Sequence, residues 1–299
     1  SWNPSPSFET AAAVRLDKLI VNWRGQVATG NEVEQFVLVP RLHLRWHMNP
    51  LWVSRLSIGQ GYRAPLTFFE SEHGILTDGY DILVQKIERS TSAVYSLSFD
   101  NDRTTATASL AWTGIQDLAY VDNHTGGRPA LKTDTGKHDV FTLDGVFGFQ
   151  LTKELTLGAS YEHFFYNPAY KALLPFAAVE DRARLLLDVE SGSFDFNLTA
   201  TWIGGRNLLP YRYEDRYNID GDLSSQKLTV APSFITLDTK LSYHWDKSIQ
   251  IYAGVKNLTG YTQAQTENAL FYQGGELNVT HLWGPLRGRE FYMGLSAKL

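Results

Sequence analysis

The last twelve residues, Gly288 to Leu299, alternate strictly. Phe291, Met293, Leu295, Ala297 and Leu299 fall on one face of an extended chain, and Glu290, Tyr292, Gly294, Ser296 and Lys298 on the other. A soluble sheet protects so flat an apolar edge, whereas a membrane barrel closes it against another strand and leaves its apolar face to lipid. The segment therefore predicts an all-β protein, a transmembrane antiparallel β-barrel.

The same two-residue period runs through the rest of the chain. It is clearest over 234–245, where Ile235, Leu237, Thr239, Leu241, Tyr243 and Trp245 oppose Phe234, Thr236, Asp238, Lys240, Ser242 and His244. Over 36–46, Phe36, Leu38, Leu42, Leu44 and Trp46 oppose Gln35, Arg41, His43, Arg45 and His47. Further examples cover 93–99, 106–112, 141–149, 155–165, 183–189, 194–202 and 251–255, with fainter ones at 10–23 and 52–60. About twelve strands and no helix are expected. Pro40 sits inside one strand and cannot donate to its ladder.

Loop lengths alternate as well. Tight turns are expected at 47–50, 100–103, 151–154, 191–193 and 246–248, and long irregular stretches at 62–82, 121–137, 167–181, 206–232 and 258–287. Strict alternation sends every long loop from the same end of the sheet, the pattern of short periplasmic turns and long extracellular loops in outer-membrane barrels. A soluble sandwich needs an apolar inner face and has no reason to alternate its loops, and no repeat of about 20 to 50 residues supports a propeller.

Composition excludes several classes. No run of 18 apolar residues occurs and mean hydropathy is −0.24, so helical membrane spans are ruled out. The 8 Trp and 15 Tyr suit the aromatic girdles of a barrel. There is no cysteine for a disulfide or a zinc-thiolate site, and the net charge of −5, without a basic stripe, gives no support for a nucleic-acid partner. Nucleophile elbow, phosphate loop and HExxH are all missing, so no catalytic residue, cofactor or enzymatic activity is expected. Polar loop clusters at Glu70-Ser71-Glu72-His73, Asp122-Asn123-His124 and Lys137-His138-Asp139 read as solvated, and no metal site is assigned. His43 and His47 lie about 13 Å apart along a strand and read as polar wall residues beside Arg41 and Arg45.

Four segments carry a family resemblance. Ser57 to Pro65, with Gly61, Tyr62, Arg63, Ala64 and Pro65 at its core and Phe68-Phe69-Glu70 after it, resembles the GFRAP strand-to-loop segment of TonB-dependent outer-membrane receptors. Glu88-Arg89-Ser90-Thr91-Ser92 is similar to the strand start that follows it. Gly254 to Tyr261, with Asn257 and Leu258, resembles the penultimate-strand signature, and Gly284 to Tyr292, with Gly288, Arg289 and Phe291, the closing strand. The four occur in family order. Physically, glycines at 59 and 61 permit close approach, Pro65 ends pairing, and Asn257 and Gly288 suit strand exit and re-entry.

The resemblance implies a 22-stranded barrel filled by an N-terminal plug, with a TonB-contacting box ahead of it. Neither upstream part is recognisable, so residues 1–299 are expected to be the C-terminal portion of such a barrel, with no plug domain or TonB box. The implied function is TonB-coupled uptake, in the bacterial outer membrane, of a scarce ligand such as a ferric siderophore or similar metal chelate. Implied partners are outer-membrane lipid, the TonB complex acting through the plug, and the small-molecule ligand. Two other readings stay open: a passive porin of about twelve strands, and a non-transporting adhesion or carbohydrate-binding protein. Ligand contacts are expected from loop aromatics and arginines that stack on and pair with an anionic chelate: Phe68, Phe69, Arg206, Tyr211, Arg212, Tyr213, Arg216 and Tyr217.

Overall fold

The computed structural model describes residues 2–22, 32–64, 81–122, 130–174, 176–211, 228–246, 248–268, 270–273, 276–279 and 282–297. Its strands are β1 Trp2–Ser5, β2 Phe8–Val21, β3 Val33–His47, β4 Trp52–Arg63, β5 Asp81–Ile82, β6 Glu88–Asp100, β7 Thr104–Asp122, β8 Ala130–Gln150 and β9 Leu155–Tyr166. After the short helix α1, Pro168–Lys171, follow β10 Asp181–Ser191, β11 Phe194–Ile203, β12 Arg206–Asn207, β13 Val230–Ala231, β14 Phe234–His244, β15 Ile249–Lys256, β16 Leu270–Gln273, β17 Glu276–Val279 and β18 Glu290–Ala297.

Thirteen of these form one antiparallel path, β1-β2-β3-β4-β6-β7-β8-β9-β10-β11-β14-β15-β18, and β5 lies parallel to β8 beside it. Two small pairs, β12-β13 and β16-β17, stand apart in the long connections. Twelve members of the path are long; β1 adds a four-residue strand on β2 that the period did not reveal.

Register carries the expected faces across the sheet. One row runs Phe99, Ala106, Phe147, Ala159, Leu185, Ala200, Leu237 from β6 to β14. On the other face a row runs Arg55, Ser96, Ser109, Asp144, Glu162, Arg182 from β4 to β10. The apolar face is open to its surroundings: Phe291 is 77% and Met293 87% exposed, and Leu16, Leu38, Leu110, Leu185 and Leu241 are exposed with them. A contiguous greasy band of this kind belongs against lipid, whereas the polar rows belong against water or protein. A slip of one residue in any ladder would exchange the two faces, which fixes the register.

Local chemistry explains the tight turns. Asn49 Oδ1 accepts from the amides of Leu51 and Trp52, Asn101 Oδ1 from Arg103 and Thr104, and Asp246 Oδ1 from Ser248 and Ile249. Each is a side chain closing its own turn. Pro40 pairs with Val14 on one side, while the ladder to β4 stops at Arg41↔Gly59, just short of it. On the polar face Tyr252 stands opposite Gly294 and Tyr292 opposite Gly254, each ring occupying the space where the facing glycine's Cβ would be. Aromatic cover of strand glycines in this way steadies register near a sheet edge.

The expected long loop at 121–137 is mostly strand. β7 and β8, of 19 and 21 residues, pair as far as Asp122↔Ala130. A transmembrane strand needs only about 9 to 11 residues, so this hairpin outruns the apolar band, and its polar extension hid it from a hydrophobic period. Asp117, at φ 54°, takes up the register shift between Gln116 and Leu118. The stretch at 167–181, expected without helix, contains α1, capped by Asn167 Oδ1 accepting from the Tyr170 amide.

Candidate functional site

The long connections leave the sheet from one end, and there the described residues pack into two separate platforms. The first is aliphatic. β5 lies on β8 through Asp81↔Ala130 and Ile82↔Leu131, and the Leu83 amide donates to the Leu131 carbonyl at 2.8 Å. From there Ile82, Val84 and Ile87 bury against Val21, Val33, Val37 and Val39 of β2 and β3 and against Ala119 of β7. β3 and β8 are four places apart in the sheet, roughly 19 Å at strand spacing, so segment 81–87 spans the inside of the sheet's curve.

Beside this strap, the motif residues of the first resemblance are bonded into the wall. Arg63 forks onto Glu88, with Nη2 to Oε2 at 2.8 Å and Nε to Oε1 at 2.9 Å, and Glu88 is buried. Bidentate geometry of this kind compensates a carboxylate taken out of water. The Tyr62 hydroxyl donates to Asp17, and Ala64 packs against the aliphatic cluster. Gly61 leaves room for the Ser90 hydroxyl, which a Cβ would meet at 3.1 Å.

The second platform gathers the described parts of three connections, those after β9, β11 and β15, around Leu174, Ala177, Ala178, Leu208, Tyr211, Ala231 and Trp283. Its rings and charges are bonded to one another. Arg206 Nη2 donates to the Trp283 carbonyl at 2.5 Å, and the Trp283 indole donates to Glu267 at 2.8 Å. The Tyr211 hydroxyl donates to Glu180 at 3.1 Å, and Lys171 pairs with the same carboxylate at 2.5 Å. Gln263 Oε1 accepts from the Trp283 and Gly284 amides. Burial lowers the pKa of Arg206 from its ordinary value, opposed by the charge of Tyr211 and Glu180, and burial with the Glu180 carboxylate raises that of Tyr211. Burial likewise raises Tyr170.

The later motif residues tie the closing strand to this platform. Asn257 adopts φ 49°, takes the Asp238 carboxylate on its amide at 2.7 Å, and donates from Nδ2 to the carbonyls of Tyr261 and Arg287. The Leu258 carbonyl accepts from Arg289 Nε at 2.8 Å, and Gly260, at φ 69°, lies under the same guanidinium. Gly288 precedes β18, on which Phe291 faces outward.

Of the residues expected to meet ligand, Arg206 and Tyr211 are 4% and 1% exposed, locked into the second platform and turned away from open solvent. Phe68, Phe69, Arg212, Tyr213, Arg216 and Tyr217 lie outside the described residues, as do Pro65, the 70–73 cluster and His124. His138 is buried with Nε2 on Asp134 at 3.0 Å. Among the described residues no group of three or more His, Asp or Glu is placed to hold a metal. The sequence reading did not single out Glu180 or Gln263, and it named Glu88 and Trp283 without their partners; Arg206 and Trp283, and Gln263 and Trp283, are tens of residues apart along the chain.

No curated protein matches the chain in sequence. Among solved structures, the copper transporter OprC aligns with a TM-score of 0.72 at 16% identity, over 100% of this chain and 46% of its own. A ferric enterobactin receptor from Pseudomonas aeruginosa, in complex with enterobactin, gives 0.68 at 14% identity, over 99% of this chain and 44% of its own. The FrpB iron transporter from Neisseria meningitidis gives 0.68 at 16%, over 98% and 44%. The chain thus spans under half the length of these proteins, and at such identities the likeness is one of fold. The family model for the TonB dependent receptor-like β-barrel matches residues 1–258, most of the sequence, and the chain belongs to that family.

Proposed function

We propose that this chain forms the C-terminal wall and several ligand-facing loops of an outer-membrane receptor. In this reading the receptor takes up a scarce metal chelate, a ferric siderophore foremost, by coupling to TonB through a plug supplied elsewhere in the protein. The observation that carries it is the two-faced sheet whose long connections are packed into platforms at one end. An apolar outer band holds the wall in lipid, and the polar inner face accepts a filling domain. The platforms hold the bases of the long loops at fixed positions, so that a ligand meets a prepared surface. Family membership and the fold of iron and copper transporters support transport over catalysis.

Within this reading, Arg206 and Tyr211 position the loop that carries Arg212, Tyr213, Arg216 and Tyr217, and these four, with Phe68 and Phe69, meet the chelate. The test is uptake of radiolabelled ferric enterobactin by cells carrying the complete protein, with and without a functional TonB. Uptake that needs TonB is the expected result. Equal uptake in both backgrounds, or a steady open conductance of the purified protein in a planar bilayer, overturns it in favour of a passive pore. In the complete receptor, replacing Arg212 and Arg216 by alanine is expected to weaken chelate binding without changing barrel assembly; unchanged affinity removes that loop from the contact surface.

A further inference from the structure

The outward, apolar face is not an even wall. Along one outward row Leu97 of β6 pairs with Ala108, Ala108 with Gly145, and Gly145 with Tyr161 of β9. In the row nearer the tight turns Ala106 lies between Phe99 and Phe147, and the Trp52 ring packs on Phe99 at 5.0 Å. Small residues thus form a floor between large ones, and the face sinks there into a groove of about 500 Å³. The floor is open: a Cβ built on Gly145 meets no atom within 4 Å. No charged side chain lines the groove, and the Tyr161 hydroxyl is taken up by Asp181 at 2.5 Å.

The groove begins close to the turns. Ala106 is three residues along β7 from Arg103, roughly 10 Å, and the Gln150 amide donates to the Arg103 carbonyl at 2.8 Å, which sets the β6-β7 turn beside the β8-β9 turn. These turns carry charges of both signs, with Asp100, Asp102 and Arg103 in one and Lys153 in the other, all exposed. Neither Arg103 nor Lys153 has an ion-pair partner among the described residues, whereas Arg45 and His47, beside the β3-β4 turn, both meet Glu9. Glu154 accepts from the Thr152 hydroxyl within its own turn.

We propose that this groove seats one acyl chain of a phospholipid from the leaflet on the turn side, one whose headgroup joins a phosphate to a primary ammonium. The phosphate would pair with Arg103 and Lys153, and the ammonium with Asp100 or Asp102. Lipid tails elsewhere in a bilayer are just as apolar, so the preference comes from dispersion contact on several sides at once and from the fixed headgroup. The inference deepens the reading above and rests on its lipid-facing outer band, with which the groove is continuous.

The test is native mass spectrometry of the complete protein in detergent, titrated with phosphatidylethanolamine and, separately, with phosphatidylglycerol, whose headgroup has no ammonium. One phosphatidylethanolamine is expected to stay on each protein, held more firmly than phosphatidylglycerol. Gly145→Leu fills the groove with a side chain that lipid tolerates and should lose the bound-lipid peak, whereas Ala200→Leu, on the same face outside the groove, should keep it. Replacing Arg103 and Lys153 together by glutamine should weaken retention several-fold. Each variant is first checked for the wild-type heat-dependent shift on a gel. The proposal is overturned by a wild type that retains no phospholipid, by firmer retention of phosphatidylglycerol, by an unchanged peak in assembled Gly145→Leu or in the double variant, or by a dimer in place of the lipid adduct. A spin label at Leu185→Cys on the same face, in a background free of other cysteines, separates the two readings. Shielded from an aqueous nickel chelate, it supports the lipid-facing band whatever the groove retains; reached by the chelate, it overturns the band and the groove with it.

Discussion

The two platforms at the mouth solve the same problem with different chemistry. The one over β2 to β8 has a buried core of valine, isoleucine, leucine and alanine, with Tyr62 packed against its edge. The other, over β9 to β18, is built on tyrosine and tryptophan with Arg206, Lys171, Glu180 and Glu267 bonded between them. An aliphatic cluster is non-directional and tolerates small shifts, so the strap 81–87 is held by burial. A network of rings and charges has few satisfying arrangements, so three connections of different length are held in one geometry. The first platform narrows the sheet; the second sets loop position.

The sharpest way to break this comparison is Trp283→Ala, which removes the ring at the centre of the second platform and the donor to Glu267. A loss of about 3 to 5 kcal/mol in local closing energy is expected. Amide hydrogen exchange should read it at Gly284 and Gln263, which are held by Gln263 Oε1 and the Pro285 carbonyl, with no change at Leu83 in the other platform. Equal loss of protection at Leu83 would mean that the two platforms are one cooperative unit.

The converse change is Ile87→Ala, at a fully buried position of the strap. About 2 to 5 kcal/mol is expected, confined to the aliphatic platform, with Ile87→Val at about 0.5 to 1.5. Exchange at Leu83 should rise while Gly284 stays protected. A smaller effect is expected from Tyr211→Phe, which deletes one hydrogen bond to a carboxylate that Lys171 still pairs: about 1 kcal/mol, again at Gly284 and not at Leu83.

Strand chemistry was legible in the sequence because lipid on one side and polar surroundings on the other impose a strict period. The faces of 234–245 and of 288–299 follow from counting alone, and the register agrees with them over 234–244 and 290–297. The upper β7-β8 hairpin was hidden for the same reason, since it rises beyond the apolar band and its residues no longer obey that period. The platforms were illegible for another: Ile82 meets Val37, and Arg206 meets Trp283, across separations of tens of residues that no local pattern encodes. Loop composition did single out Arg206 and Tyr211, but aromatic rings with arginines serve equally to bind a ligand or to pack a loop. At these two positions both side chains are buried in the second platform.

The smallest effect, absent at neutral pH, sharpens the comparison without altering any contact. Tyr211 and Tyr170 of the second platform have raised pKa values in the folded state, principally because burial disfavours the phenolate. A group raised on folding stabilises the closed form fully below its unfolded value, about 10 for tyrosine, and that contribution fades as pH climbs through the folded value. Arg206 is shifted the other way by burial, yet a guanidinium keeps its charge throughout this range and does not compensate. The second platform, with its buried tyrosines, should therefore loosen from about pH 10 upward more than the first, where only Tyr62 lies at the cluster edge. These 299 residues contain no cysteine, so in a background free of other cysteines thiol-labelling rates at Ala178→Cys and Val84→Cys, one probe in each cluster, are compared as a ratio, which cancels the pH dependence of the thiol itself. The ratio should rise above about pH 10. In a Tyr211→Phe background the rise should be smaller, because one of the two phenols is gone. A ratio that stays flat would remove the titratable tyrosines from the forces holding the second platform, leaving the two platforms alike in everything except the shape of their side chains.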